Sequence, residues 1–234
     1  SHVAVSKIAA EALRLMLDAK TGIRQDAMPP ARAAERPPTA DELREFNGNF
    51  DTMVGLARIS TKDGQIDAEA AGHQFRLVPH EDGLFTIKYR LFGMMAVRVG
   101  AFEDIRLSMA NVDGRKIIVG RIGAESLIFG EKLKPTTIPE RFWKNLGHYE
   151  IVGKIDGPTP DKLLLREDNG LLVGEAHFPE VPDLLLRIAF HAVSDNEVVT
   201  AGLGTGRGDT LRLIGAGDDA MLGFSGVQLR KKLN

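Results

Sequence analysis

The chain says the same thing twice. Thr39-Ala-Asp-Glu42 has the form of a capping box, a hydroxyl cap followed three residues later by Glu. A short helical stretch to Glu45 then turns through Phe46-Asn-Gly48-Asn-Phe50 into a strand. The same order returns as Thr137-Ile-Pro-Glu140, an apolar helical turn with Phe142 and Trp143, and Leu146-Gly147-His-Tyr149. The two caps lie 98 residues apart and the two glycines 99. The far ends match as well: Leu127 to Leu133 aligns with Val227 to Leu233 at an offset of 100. A period near 99 residues is too long for a solenoid unit, so the pattern predicts a duplicated domain.

Inside each copy the pattern is β. Short apolar or alternating runs cover Phe75–Val78, Leu84–Leu91, Ala96–Val99, Ile105–Met109 and Lys116–Ile122 in the first copy. Lys162–Leu165, Leu171–Glu175, Leu184–Val193, Val198–Ala201, Thr210–Ile214 and Gly223–Leu229 follow in the second. Asp63-Gly64, Asp82-Gly83, Asp113-Gly114 and Asn169-Gly170 are strong hairpin signals. With no helix between strands, a parallel α/β sheet is excluded. The expected fold is mainly β: two tandem antiparallel up-and-down, lipocalin-like barrels of about eight strands, each plugged by its short helix.

Ahead of the repeat, Ile8, Ala12, Leu15, Met16 and Ala19 form an apolar stripe, predicting a helix over Val3–Gly22 with Gly22 as its stop. Ala27–Thr39, with Pro29, Pro30, Pro37 and Pro38, reads as an extended linker. The expected division is therefore 1–22, a helix belonging to an upstream domain; 23–38, linker; 39–134, first barrel; and 135–234, second barrel. Ser1-His2 looks like a tag remnant, and the start inside a helical pattern suggests that further chain precedes it.

Composition narrows function by exclusion. There is no cysteine among the 234 residues, so disulfides and thiolate chemistry are out. A net charge of −2 gives no footprint for nucleic acid, and no apolar run approaches a membrane span. The histidines outside the tag-like start (His73, His80, His148, His177 and His191) show no metal-ligand spacing and are read as satisfied strand-end or turn residues. No Gly-x-Ser-x-Gly elbow frames any serine. Trp143, Phe142, Phe46 and Tyr149 are assigned to the barrel ends, and Met94 to Val97 to the barrel lining. Lys20-Thr21-Gly22 spells a triplet found beside the nucleophile of β-lactamases, but it ends a helix here and lacks Ser-x-x-Lys, so it is read as structural.

One glycine-rich stretch stands out, Gly202-Leu-Gly204-Thr-Gly206-Arg207-Gly208. A strand-like alternation follows it rather than a helix, which argues against a phosphate loop. It reads as a hairpin loop, the one candidate partner-contacting segment, with Arg207 at its tip.

A helix ending in Gly22, a Pro-rich linker and two barrels opening with Phe46-Asn-Gly48-Asn-Phe50 and Leu146-Gly147-His-Tyr149 resemble the C-terminal half of certain penicillin-recognising serine hydrolases. The layout is similar to that of the bacterial D-aminopeptidases. The resemblance implies a non-catalytic accessory region that shapes or stabilises the active site of an upstream catalytic domain on the same chain. It implies no catalytic residue, cofactor or metal within this chain, and either a bacterial cytoplasm or a periplasm as its compartment. In that family a loop of the last barrel enters the catalytic cleft, a role for which Gly202–Gly208 is the counterpart. The alternative is a carrier of a small apolar ligand, with Phe92, Met94 and Met95 lining its hollow.

Overall fold

The computed structural model describes residues 33–91, 95–97, 104–123, 125–153, 157–181, 184–215 and 220–232, together with Ala12, Leu15, Met16, Ala19 and Lys20. The chain divides into two units, 1–34 and 35–234. In the first, the described positions Ala12, Leu15, Met16, Ala19 and Lys20 are helical and exposed. The stop at Gly22, the rest of that helix and the linker before residue 33 lie outside the described residues, as do Phe92 and Met94.

The second unit consists of two eight-stranded antiparallel barrels in tandem. The first opens with helix α1 (Ala40–Phe46), whose capping box forms as the spacing predicts. The Thr39 hydroxyl accepts from the Glu42 amide at 3.2 Å, and the Glu42 carboxylate accepts from the Thr39 amide at 2.8 Å. Then come β1 (Gly48–Thr52), β2 (Gly55–Ser60), β3 (Ile66–Ala70), β4 (His73–Pro79), β5 (Phe85–Leu91), β6 (Met95–Val97), β7 (Ile105–Val112), β8 (Arg115–Ile122) and β9 (Glu125–Lys132). Each strand pairs with its neighbour; β5 pairs with both β4 and β7, and β9 with β1 closes the ring, leaving β6 as a short extra strand on β5.

The second barrel begins with α2 (Glu140–Lys144) and continues with β10 (Gly147–Val152), β11 (Lys162–Asp168), β12 (Leu171–His177), β13 (Leu185–Ser194), β14 (Glu197–Thr200), β15 (Thr210–Ile214), β16 (Met221–Phe224) and β17 (Val227–Lys231). These eight strands close in chain order. The run expected as one strand from Gly223 to Leu229 is two. Ser225 and Gly226 both take positive φ (46° and 82°), a two-residue reversal of the kind that suits hairpins. Asp63-Gly64, Asp113-Gly114 and Asn169-Gly170 turn in the same way, and so does Ala71-Gly72, which carries no Asn or Asp to announce it.

The duplication is visible in detail. Gly48 (φ 134°) and Gly147 (φ 140°) each bring the backbone against a lysine stem, that of Lys132 and that of Lys231. Lys132 Nζ donates to the Glu45 carbonyl at 2.8 Å and Lys231 Nζ to the Lys144 carbonyl at 3.2 Å, so each barrel's last strand caps its own plug helix. The equivalent ends are therefore Lys132 and Lys231, an offset of 99 and not the 100 that letter matching suggests.

Two expectations about the second copy need correction. Thr137 does not cap α2: Pro139 occupies the N-cap and no side chain bonds there. A residue before proline is held extended, so Ile138 keeps the helix from starting early enough for the Thr137 hydroxyl to reach it. Trp143 is not a core residue either. It is 49 % exposed, while its neighbour Phe142 is fully buried. Adjacent helical side chains point about 100° apart, and on so short a helix only one of the two can enter the barrel.

Phe46, Phe50, Ile59, Ile66, Phe85 and Leu107 fill the described interior of the first barrel, with the Phe46 and Phe85 rings 4.7 Å apart. Phe142, Tyr149, Leu165, Leu172, Phe190 and Leu222 do so in the second.

Candidate functional site

The most unusual chemistry lies where the barrels meet. Strand alternation points Phe50 into the first barrel and Asp51 outward. Asp51 pairs across β1 with Leu56 on β2 and with Glu131 on β9, so Leu56, Asp51 and Glu131 form one row on the outer face. An outward carboxylate would normally be solvated, yet Asp51 is only 1 % exposed because the second barrel covers it.

The cover is the predicted glycine-rich loop. Gly202 to Gly208 links β14 to β15 and lies across the β1–β2 turn. The Gly204 amide donates to Asp51 Oδ2 at 2.5 Å, the Thr205 amide to the Thr52 carbonyl at 2.9 Å, and the Thr205 hydroxyl to the Met53 carbonyl at 2.6 Å. A Cβ on Gly202 would stand 2.6 Å from Asp51 Cβ, and one on Gly204 2.6 Å from Asp51 Oδ2 and closer still to the Thr52 carbonyl. Two of the glycines are thus required by close approach. The Gly206 carbonyl accepts from the Thr200 hydroxyl, which ties down the loop's base. Arg207 and Gly208 remain exposed at the tip.

Burial dominates the electrostatics of Asp51. Its carboxyl is pushed up to about 7 by loss of water and by the Glu131 charge beside it, against the opposing pull of the Gly204 amide and of Arg207. Oδ1 is buried with no hydrogen-bond partner among the described residues. Glu131 is itself held by a two-pronged pair with Arg115, one prong being Nε to Oε1 at 2.6 Å.

Around this point the barrels share a third core: Leu56 and Leu133 from one side, Leu171, Val173, Ala189 and Ala201 from the other. Arg58 to Asp168 (2.6 Å) and Arg187 to Glu69 (2.8 Å) cross the joint, linked within the second barrel through Arg166 and Glu175. Beside the shared core opens a cleft of ≈ 630 Å³. Its walls include Arg115, Lys116, Lys132, Lys134, Glu131 and His191.

A second hollow lies inside the second barrel, an apolar cavity of ≈ 90 Å³ lined by Leu163, Leu165, Ile188, Phe190, Leu211 and Phe224 among others. The Met95 backbone is in β6, outside this hollow's wall.

The histidines take several places. His80 Nε2 lies 2.9 Å from the Thr86 hydroxyl, His73 Nδ1 3.2 Å from the Tyr89 hydroxyl, and His177 Nδ1 2.7 Å from Asp161. His148 and His191 are exposed. Among the described residues no group of three His, Asp or Glu side chains is placed to hold a metal ion, and no helix is long and apolar enough to cross a membrane. Of the Lys20-Thr21-Gly22 triplet only Lys20 is described, within a helix.

Reasoning from sequence singled out the loop but missed what it sits on. Nothing in Asp51-Thr52 distinguishes it from any strand residue facing water, and the cleft's cations come from two separate stretches of chain. Compared with known protein families, with curated proteins and with solved structures, the chain matches none.

Proposed function

We propose that this chain is a non-catalytic accessory module of a penicillin-recognising, D-aminopeptidase-like serine hydrolase, serving as a stiff support that shapes or stabilises the active site of a catalytic domain on the same polypeptide. The observation that supports this reading is the shared core between the barrels. Two barrels joined only by a linker would move independently. Here Leu56, Leu133, Leu171 and Val173 weld them into one body, and the glycine loop is used up in that weld except for its Arg207 tip. The chain also enters this body under control. The Arg36 amide donates to the Pro79 carbonyl at 3.0 Å and its guanidinium to the His80 carbonyl at 3.1 Å, so Arg36 itself is fastened to the first barrel.

The carrier reading ranks below this one. A cavity of ≈ 90 Å³ falls short of the roughly 300–1,000 Å³ typical of small-molecule pockets.

The test uses an activity-based probe. Antibody raised against this chain should precipitate, from cells that make it, a polypeptide labelled by a fluorescent fluorophosphonate and protected by excess unlabelled probe. Precipitated protein that carries no label would overturn the proposal. The purified chain alone should not hydrolyse D-amino-acid p-nitroanilides.

A further inference from the structure

The cleft between the barrels carries more positive charge than the fold needs. Arg115, Lys116, Lys132 and Lys134 line it from the start of β8, the end of β9 and the inter-barrel segment. Two carboxylates answer these four cations: Glu131 pairs with Arg115, and Glu45 with Lys116. Lys132 bonds to backbone carbonyls of Arg44 and Glu45, and Lys134 has no ion-pair partner among the described residues. The surplus is local, because the whole chain has a net charge of −2.

The duplication shows which of these charges are architectural. Lys132 is matched by Lys231, and both cap a plug helix. Lys116 precedes the residue that pairs with Glu131, and the corresponding position before the partner of Arg230 is Ala220. An alanine serves the same barrel position, so closing a barrel does not require Lys116. Burial and the Lys116 charge also hold the Lys132 ammonium below its ordinary range, against the opposing pull of Glu45, so the two lysines, neighbours on β8 and β9, repel each other. A bound anion would relieve that repulsion.

The volume of ≈ 630 Å³ suits a small molecule. The kind of cation points to the kind of anion. Planar carboxylates are best met by the arginine fork, and here Glu131 already occupies the fork of Arg115. What remains are lysine ammoniums, point charges well suited to phosphoryl oxygens. We infer that the inter-barrel cleft binds a small ligand carrying two or more phosphoryl groups, held chiefly by Lys116, Lys132 and Lys134.

Calorimetric titration of the full chain with inorganic pyrophosphate at low ionic strength tests this, with citrate as the carboxylate counterpart. Pyrophosphate should bind with a dissociation constant of roughly 0.01–1 mM and weaken steeply with added salt. Lys134→Gln and Lys116→Gln should each weaken it by about fivefold or more, with unchanged melting temperature in the case of Lys134→Gln, whose exposed side chain makes no ion pair among the described residues. Lys162→Gln, on the second barrel away from the cleft, should leave it unchanged. Absence of binding at roughly 10 mM pyrophosphate, binding indifferent to both cleft substitutions, or citrate bound as tightly as pyrophosphate would each overturn the inference.

Discussion

Asp51 gives this protein a pH dependence near neutrality that runs against the usual carboxylate pattern. Its carboxyl titrates near 7 in the folded chain, against about 3.9 when unfolded. Between those values the native state keeps a proton that the unfolded state has released. Stability therefore falls as pH rises from about 4 to 7, by up to about 1.4 kcal/mol per unit, and levels off above. Glu42 works in the opposite sense at lower pH: its pairing with Arg36 holds it below the usual range, so its contribution is present above the ordinary glutamate range and is lost as pH falls below it. Asp51→Asn should flatten the decline between pH 4 and 7 and stabilise the protein at pH 8, as urea titrations across that range would show. Parallel curves for the two proteins would rule the account out. The loop glycines offer a second comparison. Gly204→Ala drives a methyl into the Thr52 carbonyl and should cost about 1–3 kcal/mol. Gly208→Ala meets open space, and only its left-handed backbone (φ 83°) costs, about 1 kcal/mol. Melting temperatures of the pair should keep that order.

Among the elements, the plug helices are too short to stand alone and depend on their ends. Thr39→Ala removes a formed capping box and should cost about 1 kcal/mol in denaturant unfolding. Thr137→Ala should cost much less, because that hydroxyl caps nothing. The contrast was half legible in the letters: both stretches carry the Thr-x-x-Glu spacing, and only the proline before Glu140 tells them apart. Ala71 is a different case. It sits at φ 53° in a tight turn, where glycine would be at ease, and Ala71→Gly should raise stability by up to about 1 kcal/mol. β2 and β3 escaped the pattern reading altogether, because Ile66-Asp-Ala-Glu-Ala has little β propensity and is held by its neighbours rather than by its own residues.

For the whole molecule, the shared core has a thermodynamic consequence. Leu171, Val173 and Ala189 face outward from the second barrel and are buried only because the first barrel is there. Residues 35–234 should unfold in one calorimetric transition. Residues 135–234 alone should show a lower melting temperature and a tendency to associate through the bared patch. Leu171→Ala should cost about 2–5 kcal/mol in the whole protein but far less in that isolated barrel, where the side chain is already wet. Equal losses in both settings would mean that the barrels are energetically separate.

Periodicity and turn chemistry were enough to determine two antiparallel barrels, their plug helices and most hairpins, because those depend on contacts near in sequence or repeated at a fixed spacing. The glycine-rich loop was visible for the same reason, as an accumulation of one residue type. What it touches was not. Asp51 and Gly204 are 153 residues apart, and strand alternation assigns Asp51 to water until a second barrel is packed against it. The raised titration of that carboxyl, the third core and the cationic cleft all arise from the same event, the burial of two outward faces against each other. Only the tertiary structure decided them, since solvent exclusion depends on which surfaces meet and no local pattern in either barrel records that.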